Sequence, residues 1–126
     1  MTLKPTVSKI KFHQKSQLLE LAFADGLHGE LTAEFLRVHS PSAEVQGHGS
    51  PKLVENKATV QLLEIQSVGH YAVRLIFNDG HRTGIYSWQW LHYLVAFKND
   101  LWTEYRTKIR QKAAKNALNI PISVEF

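Results

Sequence analysis

Two segments of the chain carry the same succession of apolar and polar residues. They are LLELAFADGLHGELTAEFLR at 18–37 and YAVRLIFNDGHRTGIYSWQWLHYL at 71–94. In both, an alternating stretch typical of a strand ends at a phenylalanine and leads into Asp-Gly, a dipeptide that favours a two-residue hairpin turn. A shorter alternation and an aromatic-Leu pair follow, with Thr32 or Ser87 placed to accept the free amide hydrogens of a first helical turn. The repeat therefore predicts strand, turn, short strand and helix, twice.

The segments between and after the repeats complete the set of elements. Residues 38–57 are rich in Ser, Pro and Gly and predict a loop that is long for a compact domain. Further strands are predicted at 58–69 and 70–78, with Gly69 between them. The C-terminal IPISVEF predicts an edge strand.

The segment NDLWTEYRTKIRQKAAKNAL predicts a longer amphipathic helix. Asn99 or Asp100 is placed to cap its start, and Pro121 bars its continuation. Its basic residues are interpreted as a solvated face, because no nucleic-acid-binding module accompanies them, and nucleic acid is not an expected partner. Apolar residues at three- and four-residue steps predict its buried stripe: Leu101, Trp102, Tyr105, Ile109, Ala113 and Ala117.

These elements predict an α+β domain with a largely antiparallel sheet of five to seven strands, two short helices from the repeated units and a longer C-terminal helix. The 126 residues, 44% of them hydrophobic, suffice for one core without a metal or disulfide. We assign residues 1–97 to the domain proper, and 98–126 to a basic amphipathic helix and tail packed on it.

Composition excludes several classes of function. The chain has no cysteine, which removes thiol nucleophiles, cysteine-ligated zinc and iron–sulfur clusters held by its own thiolates. The first 15 residues carry four lysines and no unbroken apolar run, so no secretory signal is predicted. No segment has the length of a membrane helix. We expect a cytoplasmic protein that does not bind membranes.

Seven histidines are the main candidates for chemistry. None forms a ligand pair at helical i,i+4 spacing, and no HExxH motif occurs. A site assembled from His39, His48 and His81 would offer three imidazoles and an open position, and the alternative is that all are ordinary surface or half-buried side chains. The two aspartates of the turns, Asp25 and Asp79, are explained by hairpin geometry without catalysis.

A resemblance to a known family rests on three stretches. The run VGHYAVRLIFNDGHRTGIYSWQWL at 68–91, together with LTAEFLRVHSPSAE at 31–44 and FADG at 23–26, resembles the gamma-butyrobetaine hydroxylase-like N-terminal domains, also called DUF971. The most specific part follows the pattern VGxYAxxxxFxDGHxTGIYSWxxL. The resemblance implies an accessory module that occurs alone in bacteria, ahead of an oxygenase domain, or attached to P-loop carriers of iron–sulfur clusters.

The same resemblance implies a metal site that this chain does not reproduce. In the hydroxylases of the family, three cysteines after a Leu-Arg dipeptide and one histidine hold a structural zinc. The dipeptide is present here, but the cysteine positions fall on Ser40, Ser42 and Val45, and only His81 matches a ligand. We therefore expect that the zinc site has been lost.

These observations lead to two hypotheses from different classes. The first is a non-enzymatic domain that contacts another protein, in iron–sulfur or metal-cofactor metabolism. Its interaction surface is predicted at the hairpin 81–88 and the loop 38–50, with Tyr86 and Trp88 as exposed anchors. The alternative is a small metal-binding protein with a histidine site around His81. An oxygenase is disfavoured, because the chain is too short for a double-stranded β-helix beside this domain and His81 begins no HxD motif.

Overall fold

The structure is a computed structural model that describes residues 5–42 and 57–119, with side chains as far as residue 115. Most of the predicted loop and the predicted IPISVEF strand lie outside the described residues. The described part confirms the α+β fold, with two antiparallel sheets and three helices. The strands are β1 (Val7–His13), β2 (Leu18–Phe23), β3 (His28–Thr32), β4 (Leu62–Val68), β5 (Ala72–Phe77) and β6 (Ile85–Ser87). The helices are α1 (Ala33–Val38), α2 (Trp88–Ala96) and α3 (Lys98–Asn119).

The six described strands form two sheets of three, in the orders β1-β2-β3 and β4-β5-β6. The sequence predicts one larger sheet. The difference follows from the repeat, because β3 and β6 each run directly into a helix at Ala33 and Trp88. Each unit therefore pairs its strands within itself, and the two sheets meet through side chains.

Strand β1 is the element that the sequence analysis did not identify. It pairs with β2 from Val7 to His13, and most of its residues are exposed. Lys9, Ile10, Lys11 and Phe12 alternate polar and apolar side chains, a pattern typical of a strand. Charged lysines are common on edge strands, where they discourage pairing with another chain.

The internal repeat is confirmed in three dimensions, down to its irregularities. A register shift occurs between Val7 and Lys9 in the first unit and between Leu62 and Glu64 in the second. Such a shift marks a bulge, in which one strand carries an extra residue. The two units are therefore copies of one strand–turn–strand–helix design, each preceded by an edge strand with the same defect.

The two turns are also alike, and they differ from the two-residue hairpins predicted. The amide of the phenylalanine that ends β2 donates to the Leu27 carbonyl at 2.8 Å, and the amide of its counterpart in β5 donates to the His81 carbonyl at 2.9 Å. Each loop thus has three residues and ends at Gly26 or Gly80, whose φ angles are +94° and +90°. A non-glycine residue would be strained at that last loop position.

One hydrophobic core serves both units. Its fully buried side chains come from the central strands and from both short helices. They include Leu19, Leu21, Leu31, Phe35, Leu36, Leu75, Phe77, Leu91 and Leu94. A lone hairpin is marginally stable in water, so each unit depends on the other for burial.

Helix α3 packs on this core through Leu101, Trp102 and Tyr105 in its first half. It begins at Lys98, directly after α2, and the Leu101 amide donates to the Phe97 carbonyl at 2.9 Å. Asn99 and Asp100 therefore lie in the first turn, and the prediction that one of them caps the helix is wrong. The predicted stripe holds as far as Ile109, but Ala113 is exposed, as are all residues from 110 to 115. No helix in the described ranges is long and apolar enough to cross a membrane.

The helix caps offer a test of the repeat. Thr32 Oγ1 accepts the Phe35 amide at 3.1 Å, and Ser87 Oγ accepts the Trp90 amide at 3.1 Å. We expect Thr32→Ala to lower the free energy of unfolding by about 1 kcal/mol, because an amide of the first turn loses its acceptor. Urea denaturation measures the change. Thr32→Ser, which keeps the hydroxyl, is the matched control, and equal losses in both variants would contradict the capping role.

Candidate functional site

A buried polar cluster joins the end of α1 to the turn that follows β5. The turn places His81 so that its amide donates to Asp79 Oδ1 at 3.1 Å and its side chain points inward. His81 Nε2 lies 2.8 Å from Ser40 Oγ and 3.4 Å from Ser42 Oγ. His81 is 6% exposed and Ser40 is completely buried. We call Ser40, Ser42 and His81 the Ser–His cluster.

The Ser–His cluster occupies the positions at which the family resemblance implies zinc ligands. The chain thus brings the expected residues together, with hydroxyl groups where thiolates would be required. Zinc in proteins is held by thiolate, imidazole and carboxylate groups, and a serine hydroxyl does not ionise near neutral pH as a thiol can. Val45, the third cysteine position, lies outside the described residues. The described donors therefore do not fit a tetrahedral zinc ion.

Tyr86 packs against the Ser–His cluster and closes it from the side of β6. Its side chain is completely buried, and its hydroxyl donates to the Leu36 carbonyl. Burial raises the pKa of the Tyr86 phenol. A Cβ atom at Gly84 would stand 2.5 Å from Ser40 Oγ, so the backbone approaches the cluster as closely as only glycine allows. The exposure expected of Tyr86 as an interaction anchor is wrong, because its hydroxyl has a partner inside the core.

Asp79 links the two units beside this cluster. Its Oδ2 lies 2.8 Å from Arg37 Nε and 2.7 Å from Lys57 Nζ. Burial alone raises the pKa of this carboxyl, but the hydrogen bonds from Lys57, the His81 amide and Arg37 outweigh burial and lower the pKa to about 2. Asp79 is therefore fully ionised near neutral pH and holds two cations at the end of α1.

The first unit makes the reciprocal contact. Asp25 occupies the same turn position as Asp79, and its Oδ1 accepts the Leu27 amide at 3.0 Å. Its Oδ2 lies 2.7 Å from His92 Nε2, on the helix of the second unit. The Leu27 amide and the His92 side chain lower the pKa of Asp25. Each turn aspartate thus bonds to the helix of the other unit, and Arg37 and His92 are the two helical partners.

His39 bonds within its own helix. Its Nδ1 lies 2.8 Å from the Phe35 carbonyl, and its ring packs at 4.4 Å on the ring of Phe35. Burial lowers the pKa of the His39 imidazole. Within residues 5–42 and 57–115, no group of three or more His, Asp or Glu side chains could hold a metal ion. His48, the third histidine of the predicted site, lies outside the described residues.

Exposed aromatic side chains lie elsewhere, on the outer side of α2. The rings of Trp90 and Tyr93 stack at 5.4 Å, and those of Tyr93 and Phe97 lie 5.0 Å apart. Tyr93 is 41% exposed and Phe97 is 49% exposed. We call Trp90, Tyr93 and Phe97 the aromatic ridge. An open cleft of about 440 Å³ beside it is lined by Ser87, Gln89, Trp90 and Tyr93.

Trp88, the second predicted anchor, is the first residue of α2. It is half-buried, packs against the core, and donates from Nε1 to the His70 carbonyl at 2.8 Å. Trp90 makes a similar bond to the His39 carbonyl at 2.8 Å. Both indoles are therefore held in fixed orientations, and Trp88 is not part of the aromatic ridge.

The duplicated units and the polar cluster between them define a class of small α+β domains. The chain belongs to the gamma-butyrobetaine hydroxylase-like N-terminal family, whose model matches residues 10–92. The resemblance noted in the sequence is thereby confirmed.

Solved structures of relatives agree with this assignment. An NMR solution structure of a protein 43% identical covers 100% of this chain and 98% of its own, with a TM-score of 0.74. A second NMR structure, 40% identical, covers 88% and 89% with a TM-score of 0.78. A crystal structure of a DUF971 protein of unknown function from Acidithiobacillus ferrooxidans is 40% identical and covers 72% and 93%, with a TM-score of 0.62. No curated protein matches the chain.

Sequence reasoning missed the residues that connect the units and those that form the aromatic ridge. Arg37 and His92 occupy the same position after the aromatic-Leu pair of each repeat, and this correspondence is the signal that could have paired them with the turn aspartates. Tyr93 and Phe97 gave no such signal, because an aromatic residue on a helix is more often buried.

The two turn aspartates provide a matched test of the link between units. We expect Asp79→Asn to lower the free energy of unfolding at pH 7 by about 1–2 kcal/mol, because Arg37 and Lys57 lose their carboxylate. A carboxyl whose folded pKa is about 2 stabilises the fold above its unfolded value near 3.8, and this contribution is lost as the pH falls from about 4 to about 2.

The measurement is urea denaturation of wild type and variant from pH 7 to pH 2. The difference between them should shrink as the pH falls through this window. Asp25→Asn, at the equivalent but more exposed position, should have a smaller effect. A difference between wild type and Asp79→Asn that stays constant to pH 2 would contradict the assignment.

The Ser–His cluster predicts that zinc binding depends on the side-chain atoms at positions 40 and 42, which are hydroxyl oxygens in this chain. We expect untagged wild-type protein to contain no zinc that depends on His81, and S40C/S42C to bind close to one equivalent, because two thiolates and the His81 imidazole then converge. Elemental analysis with native mass spectrometry measures this, with S40C/S42C/H81A as the control. Zinc in the wild type that disappears in His81→Ala would show that the hydroxyl set does hold metal.

Proposed function

We propose that this protein is a non-catalytic module that binds another protein through the aromatic ridge. The observation that carries the proposal is the exposure of Tyr93 and Phe97 in one continuous stack with Trp90 on the outside of α2. Aromatic side chains are enriched among the residues that dominate binding energy in protein interfaces.

The support beneath the ridge makes it suitable as an anchor. The adjoining face of α2 places Leu91 and Leu94 in the core, where both are completely buried. Ser87 caps the first turn, and the Trp90 indole is fixed by its bond to the His39 carbonyl. A surface held in this way loses little conformational entropy when a partner binds, and preorganisation of this kind favours affinity.

The non-catalytic part of the proposal is supported by the burial of the pair formed by Ser40 and His81. Ser40 Oγ lies within hydrogen-bond distance of His81 Nε2, a spacing found in serine nucleophiles paired with a base. Ser40 is nevertheless completely buried, and its hydroxyl also accepts the Ser42 amide at 3.3 Å. A substrate would have to displace part of the core to reach it, which favours a structural role.

The proposed surface differs from the one that the sequence predicts. The predicted wall, from His81 to Trp88, contains the buried Tyr86, and the exposed side chains of Tyr93 and Phe97 lie further along the chain, late in α2 and just after it. Trp88, half-buried at the start of α2, stays a predicted anchor outside the ridge. The context of iron–sulfur or metal-cofactor metabolism rests on the family resemblance alone, and the identity of the bound protein tests it.

Capture from a lysate with matched variants tests the proposal. We expect wild-type protein to retain a partner that Tyr93→Ser and Phe97→Ser lose, because each variant removes part of the ridge while leaving the core intact. Tyr71→Ser is the control, since Tyr71 is 62% exposed and lies outside the ridge. Circular dichroism checks that all variants fold. An identical set of captured proteins for all four would contradict the proposal.

A further inference from the structure

One of the two short helices of the internal repeat, α1, is contacted by α3. Helix α3 crosses α1, where the ring of Trp102 lies 6.2 Å from that of Phe35 and the Tyr105 hydroxyl donates to Glu34 Oε2 at 3.1 Å. Phe35 is 2% exposed, as part of the shared core with α3 beside it. The first unit thus has an aromatic helix packed against its own short helix.

The same face of the second unit is open in the described part of the chain. Counted from the capping residues Thr32 and Ser87, Gln89 corresponds to Glu34 and Trp90 to Phe35. Instead of meeting a helix, Gln89 and Trp90 line the cleft of about 440 Å³. Gln89 is exposed, and Trp90 is accessible where Phe35 is not. The two equivalent faces therefore differ in whether a helix covers them.

We infer that the aromatic ridge receives an amphipathic helix of a partner protein, one that presents two aromatic residues three positions apart as Trp102 and Tyr105 do in α3. The inference rests on the proposed function and specifies the partner's chemistry. The Gln89 side-chain carbonyl would accept a hydroxyl hydrogen as Glu34 does from Tyr105. Tyr93 would supply the flat apolar contact beside it.

A helix from another protein fits this face better than a second copy of the chain. The aromatic stripe of α3 is already engaged with α1. A direct contact between two ridges would also be small, since aromatic side chains bury about 150–250 Å² each when fully covered, and a stable interface needs about 800 Å² per partner. Tyr93 and Phe97 have less than half of their surface exposed. A helix laid along the cleft gains further contact from its flanks.

A synthetic peptide with the sequence of residues 98–119 is the probe, because it carries the required spacing of aromatic residues. Fluorescence anisotropy of the labelled peptide, titrated with the full protein, measures binding. We expect saturable binding that weakens about tenfold or more in Tyr93→Ser and is unchanged in Tyr71→Ser. Replacing both Trp102 and Tyr105 by alanine in the peptide should abolish binding.

Three outcomes would overturn the inference. The first is no binding by the wild-type protein. The second is peptide binding that Tyr93→Ser leaves unchanged, which would mean that the peptide displaces α3 from α1. The third is concentration-dependent self-association in sedimentation that Tyr93→Ser removes, which would assign the ridge to a second copy. If the wild-type protein does not bind the peptide but captures a partner that Tyr93→Ser loses, the inference of a helical partner is refuted and the proposed function stands.

Discussion

The structure depends on two halves that bury their apolar faces against each other. Each half is a small strand–turn–strand–helix unit with a single apolar face, and such a unit is marginal alone. The halves bury those faces against each other, and the turn of each one bonds to the helix of the other, through Asp79 with Arg37 and through Asp25 with His92. These paired contacts join the turn of each unit to the helix of the other, beside the core that both units share.

The Ser–His cluster shows how a chain can keep the geometry of a metal site with different chemistry. His81, Ser40 and Ser42 converge as zinc ligands would, but hydroxyl groups join them by hydrogen bonds. Buried polar groups cost free energy unless they are paired. Here the serines and the histidine supply partners to one another, and Tyr86 and Gly84 pack tightly around them. A cluster of this kind ties the chain after α1 to the turn that follows β5 through hydrogen bonds.

Local pattern was sufficient to predict the repeated units and their caps, because a strand, an Asp-Gly turn and a capping hydroxyl are encoded within a few residues. Strand β1 was not predicted, although Lys9, Ile10, Lys11 and Phe12 alternate polar and apolar as in a strand with one exposed face. The start of α3 was misplaced because Phe97 carries the chain from one helix into the next. The burial of Tyr86 was not predicted for a different reason. Whether an aromatic side chain lies inside or outside depends on the rotation between the units, which no local pattern specifies.

The free-energy cost of binding a helix differs between the two equivalent helical faces. Helix α3 is joined to the rest of the chain, so it meets α1 at the high effective concentration that a covalent tether provides. A free partner at α2 must also offset the loss of its translational and rotational freedom. The face on α2 is built from larger side chains, with Trp90 where α1 has Phe35 and Tyr93 where α1 has Val38. The face on α1 is thus covered by a helix of the same chain. The larger aromatic surface of the face on α2 suits a helix of another protein.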